Sequence, residues 1–244
     1  MYQYRKIFYQ NYFESQAGRR LPVAELKSNV ANEIDFFNIE IMPFIKHHKE
    51  AAILDIGCGF GSLVAACQQK GFIQAQGIDI SPDMVKTASE LGISNISQAD
   101  LLPFLANHPH TFDIITGMDI IEHFGKDELV EVLTAVKNSL KPKGRAIFRT
   151  PNTDAPFFTI YSYGDFTHEN YLNVSSAKQV MLNMGFSKAE VYPSLIKTNG
   201  FIKEMFRKVL WWWVCVFYKM QLFASGRSSK DVVFTPNLVI VADV

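Results

Sequence analysis

Residues 53–61 read Ile-Leu-Asp-Ile-Gly-Cys-Gly-Phe-Gly, an apolar run with a carboxylate at Asp55 that leads into three glycines at alternate positions. Glycine has no Cβ, so Gly57, Gly59 and Gly61 permit tight, partly left-handed turns and let a ligand lie against the main chain. Asp55 would repel a pyrophosphate, whereas it could accept hydrogen bonds from an ammonium group. The stretch therefore predicts a loop that holds a bulky cofactor.

Short apolar runs alternate with helical patterns from residue 51 onward. This alternation is typical of a parallel sheet covered by helices on both faces. The predicted strands are 52–56, 75–79, 94–98, 112–117, 144–150, 187–193 and 236–242. The predicted helices are 62–70, one that starts at Ser81-Pro82 and ends at Leu91, 127–140 and 175–184. We therefore predict an α/β fold.

Two segments lie outside this alternating pattern. The first 50 residues are predicted to form a helical N-terminal cap, and residues 197–230 an aromatic, basic helical insertion between the last two strands. The core is then formed by residues 51–196 and 231–244. We therefore expect a single core domain with two additions.

Composition and charge narrow the class of protein. The 244 residues contain 24 lysines plus arginines and 24 aspartates plus glutamates, so no net charge favours a nucleic-acid partner. Cys58, Cys67 and Cys215 show neither a disulfide framework nor the paired spacing of zinc ligands. The first residues lack the apolar core of a signal peptide, and no run of about 20 apolar residues follows. We expect a cytoplasmic protein that binds no nucleic acid.

Two further carboxylates close the next two predicted strands, Asp79 and Asp100. The carboxyl ends of parallel strands meet at one edge of the sheet, where a carboxylate can bind both hydroxyls of a ribose. A dinucleotide-binding loop that starts at Gly57 would place its last glycine at Ser62, but here the third glycine comes one residue early. The pattern therefore predicts a nucleoside cofactor and disfavours a nicotinamide dehydrogenase.

Four motifs and a turn follow one another in order over residues 51–150. The motifs are Leu-Asp-Ile-Gly-Cys-Gly-Phe-Gly, Gly-Ile-Asp-Ile-Ser-Pro-Asp-Met, Ala-Asp-Leu and Phe-Asp-Ile-Ile-Thr-Gly-Met-Asp-Ile-Ile-Glu-His, and the turn is Leu-Lys-Pro-Lys-Gly-Arg. As an ordered set they resemble the class I S-adenosylmethionine-dependent methyltransferases. The resemblance implies a doubly wound, Rossmann-like sheet of seven strands that is mostly parallel, with an antiparallel last strand.

The resemblance also implies that S-adenosyl-L-methionine is the cofactor and S-adenosyl-L-homocysteine the product. The positions that match the cofactor-binding motifs are Asp55, Gly57, Cys58, Gly59, Gly61, Asp79, Ile80, Met84, Asp100, Leu101, Met118 and Asp119. Asp55 would lie near the ammonium group, Asp79 would hold the ribose, and Asp100 would fix the base. The alternative is that each strand-end carboxylate caps the helix that follows it.

Methyl transfer to an alcohol is an in-line displacement, for which the reacting atoms must lie about 3–3.5 Å apart. The alcohol must also lose its proton, and histidine is the usual base. His168 is the preferred candidate, because residues 164–169 follow the fifth strand, and Asp165 or Glu169 would orient its ring. His123 is the second candidate, and either histidine could instead tie a loop to the backbone. We predict no metal, since no histidine shows ligand spacing.

The methyl acceptor is predicted from looser motifs. Arg-Thr-Pro-Asn, Gly-Asp-Phe-Thr-His-Glu-Asn-Tyr and a helix ending in Met-Gly-Phe are similar to ubiquinone-biosynthesis O-methyltransferases and to methyltransferases of bacterial surface-polysaccharide (O-antigen) clusters. The resemblance favours a saccharide hydroxyl, including that of a lipid-linked glycan. A quinone-precursor phenol is the alternative acceptor. An alternative of another class is a non-catalytic cofactor-binding subunit of a glycan-assembly complex.

The insertion over 197–230 combines Trp211-Trp212-Trp213 with seven cations and one acidic residue, Glu204. A tryptophan-rich apolar helix flanked by cations is typical of a helix that lies on an anionic membrane surface. A lid over the pocket and a homodimer interface are the alternatives, since aromatic runs occur in both. Membrane contact would place the protein at the inner face of the membrane.

Overall fold

The computed structural model describes Phe8, residues 22–45 and residues 48–244. The helices in this part are α1 (Val23–Glu40), α2 (Ser62–Gln69), α3 (Pro82–Glu90), α4 (Leu101–Ala106), α5 (Lys126–Ser139), α6 (Phe158–Ser162), α7 (Val174–Asn183) and α8 (Phe201–Ala224). The strands are β1 (Ile53–Ile56), β2 (Ala75–Asp79), β3 (Ile96–Gln98), β4 (Phe112–Met118), β5 (Leu140–Pro151), β6 (Lys188–Pro193) and β7 (Asn237–Asp243). Of the helical cap expected over 1–50, the structure describes α1 and its flanking residues. Residues 1–21, apart from Phe8, and residues 46–47 lie outside the described part.

One seven-stranded sheet runs in the order β3-β2-β1-β4-β5-β7-β6. Neighbouring strands are parallel except at β7, which is antiparallel to both β5 and β6. The strand order reverses between β1 and β4, and such sheets bind ligands beyond the carboxyl ends of the strands at this point. The predicted fold, with its antiparallel last strand and helical insertion, is confirmed.

The central strands are apolar on both faces because helices cover both. All four residues of β1 are buried. Leu54 and Ile56 pack in a cluster that includes Leu133 of α5, whereas Ile53 packs on the other side with Phe37 of α1. Successive side chains of a strand point to opposite faces, so β1 joins both halves of the core. This burial fixes the position of β1 and therefore of the loop that follows its carboxyl end.

The junction before β5 differs from the prediction. A helix was expected over 127–140 and a strand from residue 144, but α5 ends at Ser139 and β5 begins at Leu140. Leu140 pairs with Phe112, after which the register between β4 and β5 shifts. The proline and glycine that predicted a break therefore shape an irregular strand, which can absorb extra residues as a bulge.

Two short helices were not predicted. They are α4, with six residues, and α6, with five. Neither is long enough to show a helical period in its apolar residues, which is the main signal of a helix in sequence. Both lie on the side of the sheet where the strand-end carboxylates are found, so they bear on the site.

The insertion between β6 and β7 forms α8, a helix of 24 residues, none of which is buried in the described structure. Its N-terminus follows Gly200, whose φ of 96° is left-handed and favours glycine. Across the described residues, we find no helix with the length and apolar character needed to span a membrane.

Candidate functional site

A cavity of about 500 Å³ lies at the carboxyl ends of β1, β2 and β4, where the strand order reverses. The sequence-predicted residues that line this cavity are Gly57, Gly59, Asp79, Ile80, Met84, Asp100, Leu101, Met118, Asp119 and His123. The volume lies in the range of small-molecule and cofactor sites. The structure thus brings together residues that the motifs place up to 66 positions apart in the chain, from Gly57 to His123.

The glycine loop after β1 takes a backbone conformation that side chains rarely adopt. Gly57 has a φ of 64°, and a Cβ there would lie 2.4 Å from the side chain of Ile120. Gly59 has a φ of 53°, and a Cβ built on it meets no atom of the described chain within 4 Å. The loop therefore needs glycine for its shape at position 57. At position 59 it leaves bare backbone facing open space, as a closely approaching ligand requires.

Asp79 holds the glycine loop and the start of α3 together. One of its carboxylate oxygens accepts a hydrogen bond from the Gly59 amide at 2.9 Å, and the other accepts from the Ser81 amide at 2.8 Å. Burial raises the pKa of Asp79, while these two hydrogen bonds oppose the increase. A carboxylate oxygen has more than one lone pair, so Asp79 can accept further hydrogen bonds from a ligand in the cavity.

Asp100 lies at the N-terminus of α4 without capping it. Its side chain accepts no hydrogen bond from the first turn of that helix. The residue is exposed and lines the cavity beside Leu101. The helix-capping alternative therefore does not explain this carboxylate, which is available to the cavity.

Three of the predicted cofactor residues lie behind the cavity wall. Asp55 is buried and accepts a hydrogen bond of 2.7 Å from the Thr116 hydroxyl, and burial raises its pKa to about 7. Cys58 is also buried, its amide donates to the Ile78 carbonyl at 3.0 Å, and burial raises the pKa of its thiol. Gly61 precedes α2 with a φ of 79°. Cys58 and Gly61 thus contribute to the conformation of the loop, and Asp55 places a buried carboxyl group behind it.

A hydrogen-bonded chain links His123 at the cavity wall to Asp165. The Thr167 hydroxyl donates to an Asp165 carboxylate oxygen at 2.7 Å and lies 2.9 Å from Nδ1 of His123. Because the one hydroxyl proton goes to Asp165, Thr167 accepts from the Nδ1–H of His123. Burial, and then the neighbouring His168, lower the pKa of His123 to about 4. A neutral ring with its proton on Nδ1 carries the lone pair on Nε2.

His168 lies behind His123. Its Nδ1 is 2.9 Å from the Ser162 carbonyl, and its ring packs against the edge of the His123 ring with centroids 4.8 Å apart. Its Nε2 is 4.0 Å from an Asp165 oxygen, and it is not among the residues that line the described cavity. The geometry therefore places the second candidate base at the cavity and the preferred one in the layer beneath it.

Glu122 adds a buried carboxylic acid to this histidine pair. One of its oxygens accepts from the Thr150 hydroxyl at 3.1 Å, and the other has no hydrogen-bond partner among the residues that the structure describes. Burial raises its pKa well above the usual range. Glu122, His123 and His168 each offer a ligand atom within 4.8 Å of the others. One carboxylate and two imidazoles are a ligand set that suits transition metal ions, although the sequence predicted none.

Comparison with known families decides the class of protein. A family model described as "Methyltransferase domain" matches residues 33–224, which is most of the chain. The chain belongs to this methyltransferase domain family. The predicted resemblance to methyltransferases is thereby confirmed, and it includes the glycine loop and the residues around the cavity.

Curated relatives share part of the sequence of this chain. It is 31% identical over 119 residues to a ubiquinone biosynthesis O-methyltransferase of Xylella fastidiosa (strain 9a5c), covering 47% of each chain. A second such enzyme, of Neisseria meningitidis serogroup C (strain 053442), is 30% identical over 106 residues, which are 41% of this chain and 44% of the relative. The matched part thus spans about half the length of these relatives.

Solved structures share the fold of this chain. A SAM-dependent methyltransferase from Archaeoglobus fulgidus matches with a TM-score of 0.62 and 20% identity over 95% of this chain and 98% of that one. A possible histamine N-methyltransferase from Thermotoga maritima matches with a TM-score of 0.60 and 15% identity, covering 98% and 99% of the two chains. At these identities the likeness concerns the fold.

An ion network that the sequence motifs did not predict borders the cavity. Arg149 at the end of β5 forms an ion pair with Asp119, and its Nη1 lies 3.4 Å from Glu40 of α1. Glu40 also accepts from the Leu195 amide at 2.7 Å. Asp119 itself has a φ of 52°, a left-handed conformation that is uncommon outside glycine. An arginine that ends the apolar run Ala-Ile-Phe was the available signal, because a charge there needs a partner.

The raised pKa of Asp55 predicts how the free energy of unfolding depends on pH. Its pKa is about 7 in the folded chain and 3.8 in the unfolded chain, so protonation of Asp55 favours folding below pH 3.8, and this contribution is lost as the pH rises through 7. Asp55→Asn keeps an acceptor for Thr116 without the buried charge. We expect it to increase the free energy of unfolding at pH 8 by on the order of 4 kcal/mol, less as the pH falls toward 4.

Urea denaturation of the protein without ligand at pH 8 and pH 5 measures this effect. Asp35→Asn, at an exposed position of α1, is the matched control and should change the stability little at either pH. An Asp55→Asn variant that is no more stable than the parent at pH 8 would contradict the buried, destabilising charge.

Proposed function

We propose that this methyltransferase transfers the methyl group of S-adenosyl-L-methionine to a hydroxyl oxygen of a small molecule. The observation that carries the proposal is the cavity at the reversal of strand order, which is lined by the Gly59 backbone and by Asp79 and Asp100. The carboxylates at these strand ends can accept hydrogen bonds from the hydroxyl and amino groups of a nucleoside. The bare backbone between them leaves room for the ammonium-bearing chain of the same ligand.

The residues of the cavity would contact three parts of the cofactor, namely its ribose, its adenine and its methionine part. Asp79 would accept hydrogen bonds from the ribose, and Ile80 and Met84 would pack beside the adenine. Asp100 would accept from the adenine amino group at the N-terminus of α4. The glycine loop and Met118 would line the methionine part, where the buried charge of Asp55 complements an ammonium group.

His123 is the residue that we propose as general base. When bound, S-adenosyl-L-methionine supplies an electrophilic methyl group. His123 is neutral above a pH of about 4, so its Nε2 can accept the proton of a hydroxyl as that oxygen attacks. Thr167 and Asp165 then stabilise the imidazolium that forms, because the carboxylate lies at the far end of the hydrogen-bonded chain. His168 supports the ring of His123 and is proposed as a positioning residue.

A saccharide hydroxyl, including that of a lipid-linked glycan, is the acceptor class that we propose first. Its support is the similarity of the segments after β5 to methyltransferases of surface-polysaccharide clusters. Polar side chains at the cavity, namely Asp119, His123 and Glu128, can pair with the several hydroxyls of a sugar.

A quinone-precursor phenol is the second candidate acceptor. It is favoured by the relatives named ubiquinone biosynthesis O-methyltransferase and by the apolar ring of Phe124 at the same cavity.

Isothermal titration with S-adenosyl-L-homocysteine tests the cofactor. We expect saturable binding of one molecule per chain, and no heat from NAD in a parallel titration, because the third glycine is displaced from the dinucleotide pattern. Absence of S-adenosyl-L-homocysteine binding by the folded protein would contradict the proposed function in all its forms.

A radiolabelled methyl-transfer assay tests the acceptor. Fractionated cell-envelope glycolipids and a set of catechol-type phenols are offered in parallel, and the product is treated with alkali. We expect label in a saccharide fraction that resists alkali, because an ether survives conditions that release methanol from a methyl ester. Label in phenols alone would favour the second candidate, and cofactor binding without transfer to any acceptor would favour a non-catalytic subunit.

A further inference from the structure

Helix α8 presents its apolar side chains outward. One stripe along the helix consists of Met205, Phe206, Val209, Trp213, Phe217 and Met220, and each exposes 52–65% of its surface. Their spacings of one, three and four residues place them on one face of an α-helix. We call these six residues the apolar stripe. A surface helix of a globular protein ordinarily turns such a face toward the core.

The opposite face of α8 is the half-buried one. Arg207, Trp211, Tyr218 and Leu222 lie there at helical spacing, and the Tyr218 ring is 6.2 Å from that of Phe234. The helix therefore rests on the protein body through a mixed, partly polar face. Among the described residues, contact with the body does not account for the apolar stripe on the other side.

The acidic residue of the insertion is held on the inner face. Glu204 accepts hydrogen bonds from the Arg207 side chain at 2.6 and 2.8 Å and from the Thr198 amide at 2.9 Å. These contacts lower the pKa of Glu204 to about 2, so it stays ionised and bonded to Arg207. Glu204 also lies 3.8 Å from Nζ of Lys208, so this one acidic residue of the insertion is shared by Arg207 and Lys208 and does not face the apolar stripe.

Exposed cations border the apolar stripe. Lys208 and Lys219 lie along one edge and Lys203 along the other, and Arg227 and Lys230 follow the helix. Long cationic side chains beside an apolar face suit a surface that is apolar inside and anionic at its boundary. A contact between two copies of α8 would instead bring Lys203 and Lys219 against other cations, because the insertion's one acidic residue, Glu204, already pairs with Arg207 and Lys208.

We propose that α8 binds an anionic lipid bilayer, lying in the plane of the membrane with the apolar stripe in the acyl boundary and its lysines at the headgroups. The binding is independent of the cofactor and of the methyl acceptor. It would hold the cavity at a surface where lipid-linked molecules are available. The start of β7, Asn237, follows α8 and pairs with Pro151 at the carboxyl end of β5, which is the edge of the sheet where the cavity lies.

The three tryptophans of the chain all lie in α8, at 211–213, so tryptophan fluorescence reports on this helix alone. The full-length protein is mixed with vesicles of phosphatidylglycerol and phosphatidylcholine, or of phosphatidylcholine alone, and sedimented. We expect sedimentation with the anionic vesicles, a blue-shifted emission, and quenching by brominated acyl chains. About 1 M salt should release the protein by screening its cations. Protein that stays in the supernatant at low salt overturns the proposal.

Three variants separate the possible occupants of the stripe. Trp213→Glu should lower the partition coefficient at least tenfold, whereas Ile73→Glu, at an exposed apolar residue outside α8, should leave it unchanged. Lys203→Gln combined with Lys219→Gln, at two exposed lysines, should lower it about fivefold for each cation removed. Binding to phosphatidylcholine alone with equal strength overturns the role of the lysines. A dimer in sedimentation velocity that Trp213→Glu converts to monomer, without vesicle binding, overturns the membrane in favour of a second copy.

Discussion

Replacement of His123 by asparagine is expected to lower the turnover number by about 10² to 10⁴-fold while the affinity for S-adenosyl-L-homocysteine stays within a few-fold. The reason is that His123 lines the cavity with a neutral ring whose Nδ1 is fixed by Thr167. Asparagine can still hydrogen-bond to Thr167 but cannot take a proton at neutral pH. Steady-state methyl transfer, with cofactor affinity measured separately by titration, separates the loss of the base from a loss of binding.

The same change at His168 is the matched control. His168 lies behind His123 and does not reach the described cavity wall, so His168→Asn should reduce turnover less than His123→Asn. If His168→Asn abolishes turnover and His123→Asn retains it, the roles that the geometry favours are reversed. That outcome would agree with the preference drawn from the sequence.

The acid side of the pH profile provides a further test of His123. A histidine with an ordinary pKa of 6.5 would lose about three quarters of its basic form between pH 8 and pH 6. His123, with its pKa lowered to about 4, remains neutral over that interval. We therefore expect the contribution of this group to kcat/KM to be constant from pH 8 to pH 6.

Thr167→Val removes the acceptor at Nδ1 of His123. We expect this substitution to reduce kcat more than KM and to shift the acid limb of the pH profile.

The fold and the cofactor side of the cavity could be predicted because their signals are local. An apolar strand, a carboxylate at its end and a glycine turn lie within nine residues, and parallel strands then bring successive carboxyl ends to one edge. Asp79 is an example, because both of its hydrogen-bond partners, the amides of Gly59 and Ser81, belong to loops that the motifs define. Short-range patterns therefore sufficed for the strands and their ends.

The catalytic side could not be assigned in the same way, because its contacts join distant segments. Thr167 lies 44 residues after His123, and nothing in the order of residues indicates that its hydroxyl meets Nδ1. Arg149 and Glu40 are 109 residues apart. The sequence could propose two histidines, but the loops that bring them together decide which one reaches the cavity. That decision depends on packing, which short motifs do not record.

Replacement of Asp79 by alanine is expected to weaken the binding of S-adenosyl-L-homocysteine by at least about 100-fold. Hydrogen bonds to a charged acceptor contribute about 1.5–3 kcal/mol each, and two ribose hydroxyls would share this carboxylate. Alanine also leaves the amides of Gly59 and Ser81 without their acceptor, so the glycine loop loses its tie to α3. Asp79→Asn retains one acceptor for these amides and should lose less affinity. Asp83→Ala, at an exposed carboxylate in the first turn of α3, should have little effect.

A ligand that lacks one ribose hydroxyl separates the direct role of Asp79 from its role in holding the loop. Titrations of the parent protein and Asp79→Asn with S-adenosyl-L-homocysteine and with its 2′-deoxy analogue form a double-mutant cycle. If the carboxylate binds that hydroxyl, the substitution costs less affinity with the analogue than with the full ligand. If Asp79 acts only by holding the Gly59 amide, both ligands lose affinity equally, because the loop is disturbed alike for each. Equal losses would therefore reject the ribose contact and retain Asp79 as a residue that shapes the loop.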